Sequence, residues 1–326
     1  GNKPVIITTP GGQATVPGGY TYTTTNIYVT NGNTASVSVI DPGTNTVTTT
    51  IPGGTRPFGV AITPDLTRAY VTNTFSDSVS VINTANNTVL TTITGVGTGP
   101  AGIAITPDGT KAYVVNASSN NVRVINIPAN TLGPTIPVGT NPQDVAITPD
   151  GTKAYVTNNG SNSVSVINTA NNTVLTTITG VGTGPNGIAI TPDGTKAYVV
   201  NASSGNVRVI NTAGNTLGPT ITVGTQPNRI AITPDGTKAY VTNLFSNSVS
   251  VINTADNTII ITITGVGTGP LGIAITADGT RAYVVNRDLN SVRVIDTATN
   301  TLSGPAIPVG TNPAGVAATP LPYPAP

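Results

Sequence analysis

Tyr28-Val29-Thr30-Asn31 is the first of seven near-identical tetrapeptides around which the whole chain is organised. This sequence, or Tyr-Val-Val-Asn, recurs in steps of 42 or 43 residues, with its tyrosine at Tyr70, Tyr113, Tyr155, Tyr198, Tyr240 and Tyr283. A fixed period of this length indicates one supersecondary unit copied along the chain. The 326 residues are therefore expected to form one closed array of repeats.

Each repeat contains four short runs rich in Val, Ile, Thr and Tyr, as residues 139–178 illustrate. Gly, Pro, Asn and Asp separate the runs, and Pro149-Asp150-Gly151 has the composition of a tight turn. No segment shows the apolar period of a helix. The pattern predicts four antiparallel strands per repeat, which we name A to D in chain order.

Seven such units predict an all-β fold, a seven-bladed β-propeller of four-stranded antiparallel blades. The first repeat lacks a strand A, whereas the chain finishes with an extra strand A at residues 310–320. We therefore expect the C-terminal strand to join blade 1, beside strands from residues 26–51, and to close the ring. Small Val, Ile, Ala and Thr side chains are expected to fill the blade interfaces, and the Asn that ends each strand B is expected to form a turn.

The sequence divides into three predicted regions. Residues 1–25 form an N-terminal extension rich in Thr and Gly, residues 26–320 the propeller, and residues 321–326 a Pro-rich tail. Val5, Ile6 and Ile7 begin a candidate strand that could add to a blade edge of a neighbouring copy, so we assign them a tentative assembly role.

Composition narrows the function. Only 8% of the residues are charged and the net charge is +1, so nucleic acid is not an expected partner. No apolar run is long enough to span a membrane. The chain has no Cys, His, Met, Trp or Glu, which argues against thiolate zinc, haem and iron–sulfur sites and against His-based acid–base catalysis. We predict no metal and no cofactor. The lack of oxidisable Cys and Met favours an extracellular or cell-surface location.

Residues 26–320 resemble the YVTN β-propeller repeat family through the seven tetrapeptides, the Pro-Asp-Gly-Thr turns and the Val-Ile-Asn/Asp ends of strand C. The resemblance implies a seven-bladed propeller similar to those of archaeal surface-layer proteins and of bacterial secreted or cell-wall proteins. The family has no single activity. Related propellers include lactonases and quinoprotein-like dehydrogenases, whose chemistry relies on His, Glu, metal ligands or Trp-docked cofactors that this sequence lacks.

The candidate site follows from comparing equivalent loop positions across the blades. In an antiparallel blade the D-to-A and B-to-C loops emerge on one face, around the mouth of the channel. A glycine near the start of strand A is replaced by Asp144 in one blade and by Arg229 in another. The other tentative binding residues on this face are Phe58, Phe75, Phe245, Arg56 and Arg287. They predict a recognition surface for a glycan, a peptide or a neighbouring subunit; the alternative is that these loops simply vary freely.

The sequence thus favours a non-enzymatic extracellular structural or cell-surface protein, a propeller scaffold for self-assembly or display. Its expected partner is itself, as a homo-oligomer or polymer, or a cell-surface glycan or protein. The alternative is a secreted module that binds a glycan or peptide at the channel mouth. Asp144 and Arg229 could in principle perform acid–base chemistry, but no other residue supports an enzyme, so none is predicted.

Overall fold

A computed structural model describes residues 5–9, 12–16 and 26–319. Residues 26–319 form seven four-stranded antiparallel sheets, the blades of the predicted propeller. Within the described residues there is no helix, and therefore none long and apolar enough to cross a membrane.

In every blade the strands lie side by side in the order A, B, C, D, from the channel outward. Blades 1 to 3 comprise Pro313–Ala318, Ile27–Asn31, Ser36–Asp41 and Thr46–Pro52; Pro57–Ile62, Arg68–Asn73, Ser78–Asn83 and Thr88–Thr94; and Pro100–Ile105, Lys111–Asn116, Asn121–Asn126 and Thr131–Pro137. Blades 4 and 5 comprise Pro142–Ile147, Lys153–Asn158, Ser163–Asn168 and Thr173–Thr179; and Pro185–Ile190, Lys196–Asn201, Asn206–Asn211 and Thr216–Thr222. Blades 6 and 7 comprise Pro227–Ile232, Lys238–Asn243, Ser248–Asn253 and Thr258–Thr264; and Pro270–Ile275, Arg281–Asn286, Ser291–Asp296 and Thr301–Pro308.

The ring closes as the sequence predicts. Strand A of blade 1 is the C-terminal strand Pro313–Ala318, which pairs antiparallel with Ile27–Asn31 so that Val316 lies opposite Val29. Closure pairs both ends of the repeat array within one sheet and leaves no open blade face at the junction.

The core lies between neighbouring blades and contains one tyrosine per interface. Tyr70 of blade 2, for example, packs with Ala112, Val114 and Ile125 of blade 3. The seven strand B tyrosines are the largest fully buried side chains. The expectation that small residues alone fill these interfaces is therefore wrong, because a twisted pair of blades leaves room for one large ring.

The same tyrosines tie each blade to the next by a hydrogen bond. Tyr155 Oη of blade 4 donates to Asn215 Oδ1 in the C-to-D turn of blade 5, at 2.6 Å. Tyr283 of blade 7 makes the equivalent bond to Asn45 of blade 1, at 2.7 Å, so the series of bonds runs around the whole ring. Asn215 and Asn45 have φ of 53° and 54°, a left-handed conformation that Asn tolerates better than most residues.

The Asn that ends strand B is not a turn residue, contrary to the prediction. Asn158 is fully buried, and its Nδ2 donates to Ser163 Oγ at 3.1 Å and to Ser165 Oγ at 3.0 Å on strand C. In the blades with Tyr-Val-Val-Asn the partner differs, since Asn116 Nδ2 donates to the backbone oxygen of Val96 at 2.7 Å. The side chain thus fastens strand B to strand C or to the preceding D-to-A loop.

The N-terminal extension contains a two-stranded antiparallel hairpin. Val5–Thr9 pairs with Gly12–Val16, so the candidate assembly strand already has one partner within its own chain. The side chains of Val5, Ile6 and Ile7 lie outside the described part of the structure, as do residues 1–4, 10–11, 17–25 and 320–326. The predicted domain limits and the assembly role of these residues stay predictions.

Candidate functional site

The D-to-A and B-to-C loops share one face of the propeller and contact each other within each blade. In blade 2, Thr74 N donates to Arg56 O at 3.0 Å and Phe75 N donates to Thr55 O at 3.2 Å. Strand A begins on this face, and its first residues line the channel. This geometry confirms the face on which the sequence places the candidate site.

The third residue of strand A is glycine in five blades because neighbouring strands A approach very closely. A Cβ placed on Gly59 would lie 2.4 Å from Ala101 O, and one on Gly315 would lie 2.0 Å from Phe58 O. Only blades 4 and 6 carry a side chain at this position, and both side chains are charged: Asp144 and Arg229. The two substitutions therefore change both the shape and the charge of the channel.

Asp144 and Arg229 meet inside the channel although a whole blade lies between their own. Arg229 Nε lies 3.8 Å from Asp144 Oδ2, and the two side chains are only 15% and 18% exposed, respectively. The blade between them carries Gly187 at the equivalent position, so no side chain separates the pair. Asp144 Oδ1 also accepts the N–H of Val145 at 3.0 Å, and Oδ2 accepts the N–H of Ile188 at 3.4 Å.

Burial sets the protonation behaviour of Asp144. Desolvation raises the pKa of its carboxyl group, and this effect outweighs the lowering by the Arg229 charge and the two backbone N–H groups. A carboxylate with a raised pKa is a stronger base than an exposed one, which suits proton abstraction near neutral pH.

Two adjoining cavities give access to the pair. The inner cavity, of about 140 Å³, is lined by Asp144, Arg229 and the strand A glycines. The outer cavity, of about 200 Å³, opens at the channel mouth. Phe58, Arg229, Leu271 and Ala314 line both, so the two spaces form one continuous recess of a size that fits a small molecule.

The wall of this recess is apolar on one side and cationic at the rim. Phe58 packs against a small cluster of Leu244, Leu271 and Ala314. The Arg229 guanidinium lies 5.5 Å from the centre of the Phe58 ring, a cation–π distance that helps to hold the side chain in place.

Two further arginines line the outer cavity. Arg56 lies 4.7 Å from the centre of the Phe75 ring, and Arg287 forms an ion pair with Asp288, with Nε 2.9 Å from Oδ1. Asp144 is the one acidic residue among those that line the two cavities, against three arginines. The recess therefore carries a net positive charge.

The structure brings together five of the seven residues that the sequence assigns to this face. Those that line the recess are Phe58, Asp144, Arg229, Arg56 and Arg287. Phe75 and Phe245 are not among its lining residues, and their side chains are 66% and 65% exposed. The assignment of these two aromatic residues as binding groups is not supported, because their rings lie outside the cavity wall.

Three polar residues that the sequence analysis missed also line the outer cavity: Gln143, Asn186 and Asn228. Each is the second residue of its strand A. The signal was present, because this position is Ala, Phe or Leu in the other four blades. Comparison of second as well as third positions would have found them.

The strand C arginines have a structural role, as predicted. Arg123 Nη1 donates to Gly133 O at 3.1 Å, and Nη2 donates to Gly95 O at 3.2 Å, which joins strand C to strand D and to the loop before blade 3. Within the described ranges, no three acidic side chains come together in the way that a metal site requires.

Comparison with known proteins relates the chain to several propeller families. Residues 97–220 match a family model described as a lactonase, seven-bladed β-propeller, and residues 4–118 match a YNCE-like β-propeller model. Each match spans less than half of the chain, and neither description names the YVTN repeat. No curated protein matches the sequence.

Solved structures share the fold. A chain of hydrazine synthase from Kuenenia stuttgartiensis is 25% identical, with a TM-score of 0.77 over 84% of this chain and 92% of that one. Candidate 6-phosphogluconolactonases from Bacteroides fragilis and Bacteroides uniformis are 21% and 19% identical, with TM-scores of 0.75 and 0.78. They cover 92% and 90% of this chain, and each is itself 99% covered. At this identity the last two likenesses show the fold alone.

These comparisons correct the function predicted from sequence. The lactonase match over residues 97–220 contradicts a non-enzymatic structural or cell-surface protein and the statement that the chain is no enzyme. Surface-layer and secreted roles find no support among the matches. The physical reason for the error is that missing His and Glu were taken to exclude catalysis, whereas the fold places Asp144 beside Arg229 in a buried recess.

Proposed function

We propose that the protein hydrolyses a small lactone in the channel recess. The observation that carries this proposal is the buried Asp144–Arg229 pair, at two positions where all other blades have glycine. The lactonase match supports it, because residues 97–220 include Asp144. The modest size of the recess favours a small substrate over a glycan chain or a peptide.

The geometry assigns a role to each charged group. Asp144 acts as general base and takes a proton from water, whose oxygen attacks the lactone carbonyl carbon. The negative charge that develops on the carbonyl oxygen is stabilised by the Arg229 guanidinium. The ring C–O bond then breaks, and the leaving alkoxide takes the proton back from Asp144. The product is the open-chain hydroxy acid, and the Asp144 carboxylate is regenerated.

The rim favours a lactone that carries an anionic group. Arg56 and Arg287 lie at the mouth, while Arg229 faces Asp144 deeper in the recess. An anionic substituent on the substrate would interact favourably with these guanidinium groups, which bind phosphate and carboxylate in a fixed fork geometry. The phosphorylated sugar lactone implied by the names of the two Bacteroides proteins has this chemistry.

The test compares two lactones that differ only in charge. Acid release from glucono-δ-lactone and from its 6-phosphate is followed at constant pH, with the spontaneous rate subtracted. We expect hydrolysis of both, with the phosphorylated lactone preferred, and we expect Arg56→Gln to reduce that preference about fivefold. No hydrolysis of either lactone above the spontaneous rate would contradict the proposal.

A further inference from the structure

Strand B differs between blades at the residue before its terminal Asn. Blades 1, 2, 4 and 6 carry a threonine there, whereas blades 3, 5 and 7 carry a valine. The threonines are Thr30, Thr72, Thr157 and Thr242, and the valines are Val115, Val200 and Val285. Side chains of nearly equal volume thus alternate between one with a hydroxyl and one without it.

Each of these hydroxyls joins two strands A. Thr157 Oγ1 accepts the backbone N–H of Asp144 at 3.1 Å and donates to Asn186 O of the next blade at 2.6 Å. Thr242 Oγ1 accepts the N–H of Arg229 at 3.0 Å and donates to Leu271 O at 2.8 Å. The hydroxyl therefore fixes the backbone at the third residue of strand A relative to its own blade and to the following one.

Both charged channel residues occur in blades that have this hydroxyl. In the three valine blades the third residue is always glycine: Gly102, Gly187 or Gly272. A short Asp side chain has few rotatable bonds, so the place of its backbone decides where its carboxylate lies. A displacement of about 1 Å in a reacting group can reduce a rate about a hundredfold.

We propose that Thr157 and Thr242 are positioning residues, whose hydroxyls hold Asp144 and Arg229 in the geometry needed for catalysis. The proposal rests on the proposed hydrolytic function of that pair. Neither threonine is among the residues that line the recess, and each acts through the charged residue whose backbone it binds.

The chain offers a matched control for the test. Thr72 in blade 2 makes the same two bonds, accepting from Gly59 N at 2.8 Å and donating to Ala101 O at 2.6 Å, but Gly59 carries no side chain. Thr157→Val and Thr72→Val each introduce the residue that three blades already have, so both variants should fold. Thr157→Ser retains the hydroxyl and serves as the conservative variant.

The experiment measures kcat, KM and the pH dependence of lactone hydrolysis for wild type, Thr157→Val, Thr157→Ser, Thr72→Val and Asp144→Asn. We expect Thr157→Val to lower kcat about 10- to 100-fold with little change in KM, and to move the acid limb of the pH profile. Thr72→Val should lose a similar amount of thermal stability with kcat within about twofold of wild type. Thr157→Ser should restore most of kcat.

Two results would overturn the proposal in distinguishable ways. If Asp144→Asn abolishes hydrolysis but Thr157→Val lowers kcat no more than Thr72→Val does, the positioning role is wrong and the proposed function stands. If Asp144→Asn hydrolyses the lactone as fast as wild type, the proposed function fails and the positioning role fails with it.

Discussion

Asp144 is held in a setting that costs stability and prepares it for chemistry. Its carboxyl group is largely buried, and its pKa is raised because burial disfavours the charged form more than Arg229 and two N–H groups favour it. Groups kept in unfavourable surroundings are typical of functional sites, since a purely structural position would be free to become neutral or apolar.

The raised pKa fixes the sign of a stability effect. A group whose pKa is higher in the folded than in the unfolded state stabilises the fold when protonated, and this contribution is lost as pH rises through the folded-state pKa. Asn resembles the protonated carboxyl group, so Asp144→Asn should melt at a higher temperature than wild type at pH 7, and the difference should shrink on acidification towards pH 4. Calorimetry across this range checks it. A melting temperature for Asp144→Asn below that of wild type at pH 7 would show that the ion pair outweighs burial.

At the scale of the strand and turn, the tetrapeptide explains why the repeat is so regular. Its tyrosine fills the space between two blades and donates a hydrogen bond to the next one, and its asparagine fastens strand B inside the blade. The periodicity of the sequence predicts the strands and turns, because these depend on local composition. The Tyr–Asn bonds were not predictable in this way, since their partners lie 56 to 60 residues apart in most blades and depend on blade spacing.

Removing one of these hydroxyls tests the link between blades. In Tyr155→Phe the acceptors Asn215 Oδ1 and Thr212 O lose their donor, which should lower the free energy of unfolding by about 1 to 2 kcal/mol. Urea denaturation measures the change. Phe75→Leu, at an exposed ring, is the control and should change the stability little. An unchanged unfolding free energy for Tyr155→Phe would mean that these bonds do not join the blades.

The pKa of Tyr155 gives the same link a pH dependence. Burial, assisted by the charge of Asp150, raises the pKa of this phenol to about 12. The neutral hydroxyl therefore stabilises the fold fully below the unfolded-state pKa of about 10, and the contribution is lost as pH rises through the folded value. The stability difference between wild type and Tyr155→Phe should accordingly shrink between pH 10 and pH 12.

For the whole molecule, closure by the C-terminal strand is what turns seven repeats into a ring. The spare strand A at residues 310–320 predicts this closure, and pairing of Pro313–Ala318 with Ile27–Asn31 confirms it. Charged residues at the channel could also be found by comparing blades. Their contact could not, because it needs Asp144 and Arg229 to reach past a blade whose Gly187 leaves the space open. The extracellular location stays a prediction.

A disulfide across the closure measures how much the ring contributes. The chain has no Cys, so Val29→Cys with Val316→Cys gives a single crosslink between register partners. The matched control is Val60→Cys with Val71→Cys, the same register pair within blade 2. Because the first crosslink closes a far longer loop, it should stabilise the fold by about 3 kcal/mol more than the second in the loop-entropy model. Equal melting temperatures for the two oxidised variants would argue that unfolding does not begin by opening the ring at this strand.

The measurement that bears most directly on the central claim is the pH-dependent rate of lactone hydrolysis by wild type, Asp144→Asn and Asp256→Asn. Asp256 lies in an exposed C-to-D turn on the opposite face, where the equivalent residue of blades 2 and 4 is Asn86 or Asn171. We predict that kcat/KM of wild type rises with pH through the raised pKa of Asp144, that Asp144→Asn lowers it about 100- to 10,000-fold, and that Asp256→Asn leaves it unchanged. Hydrolysis by Asp144→Asn at the wild-type rate would contradict an active site in this channel.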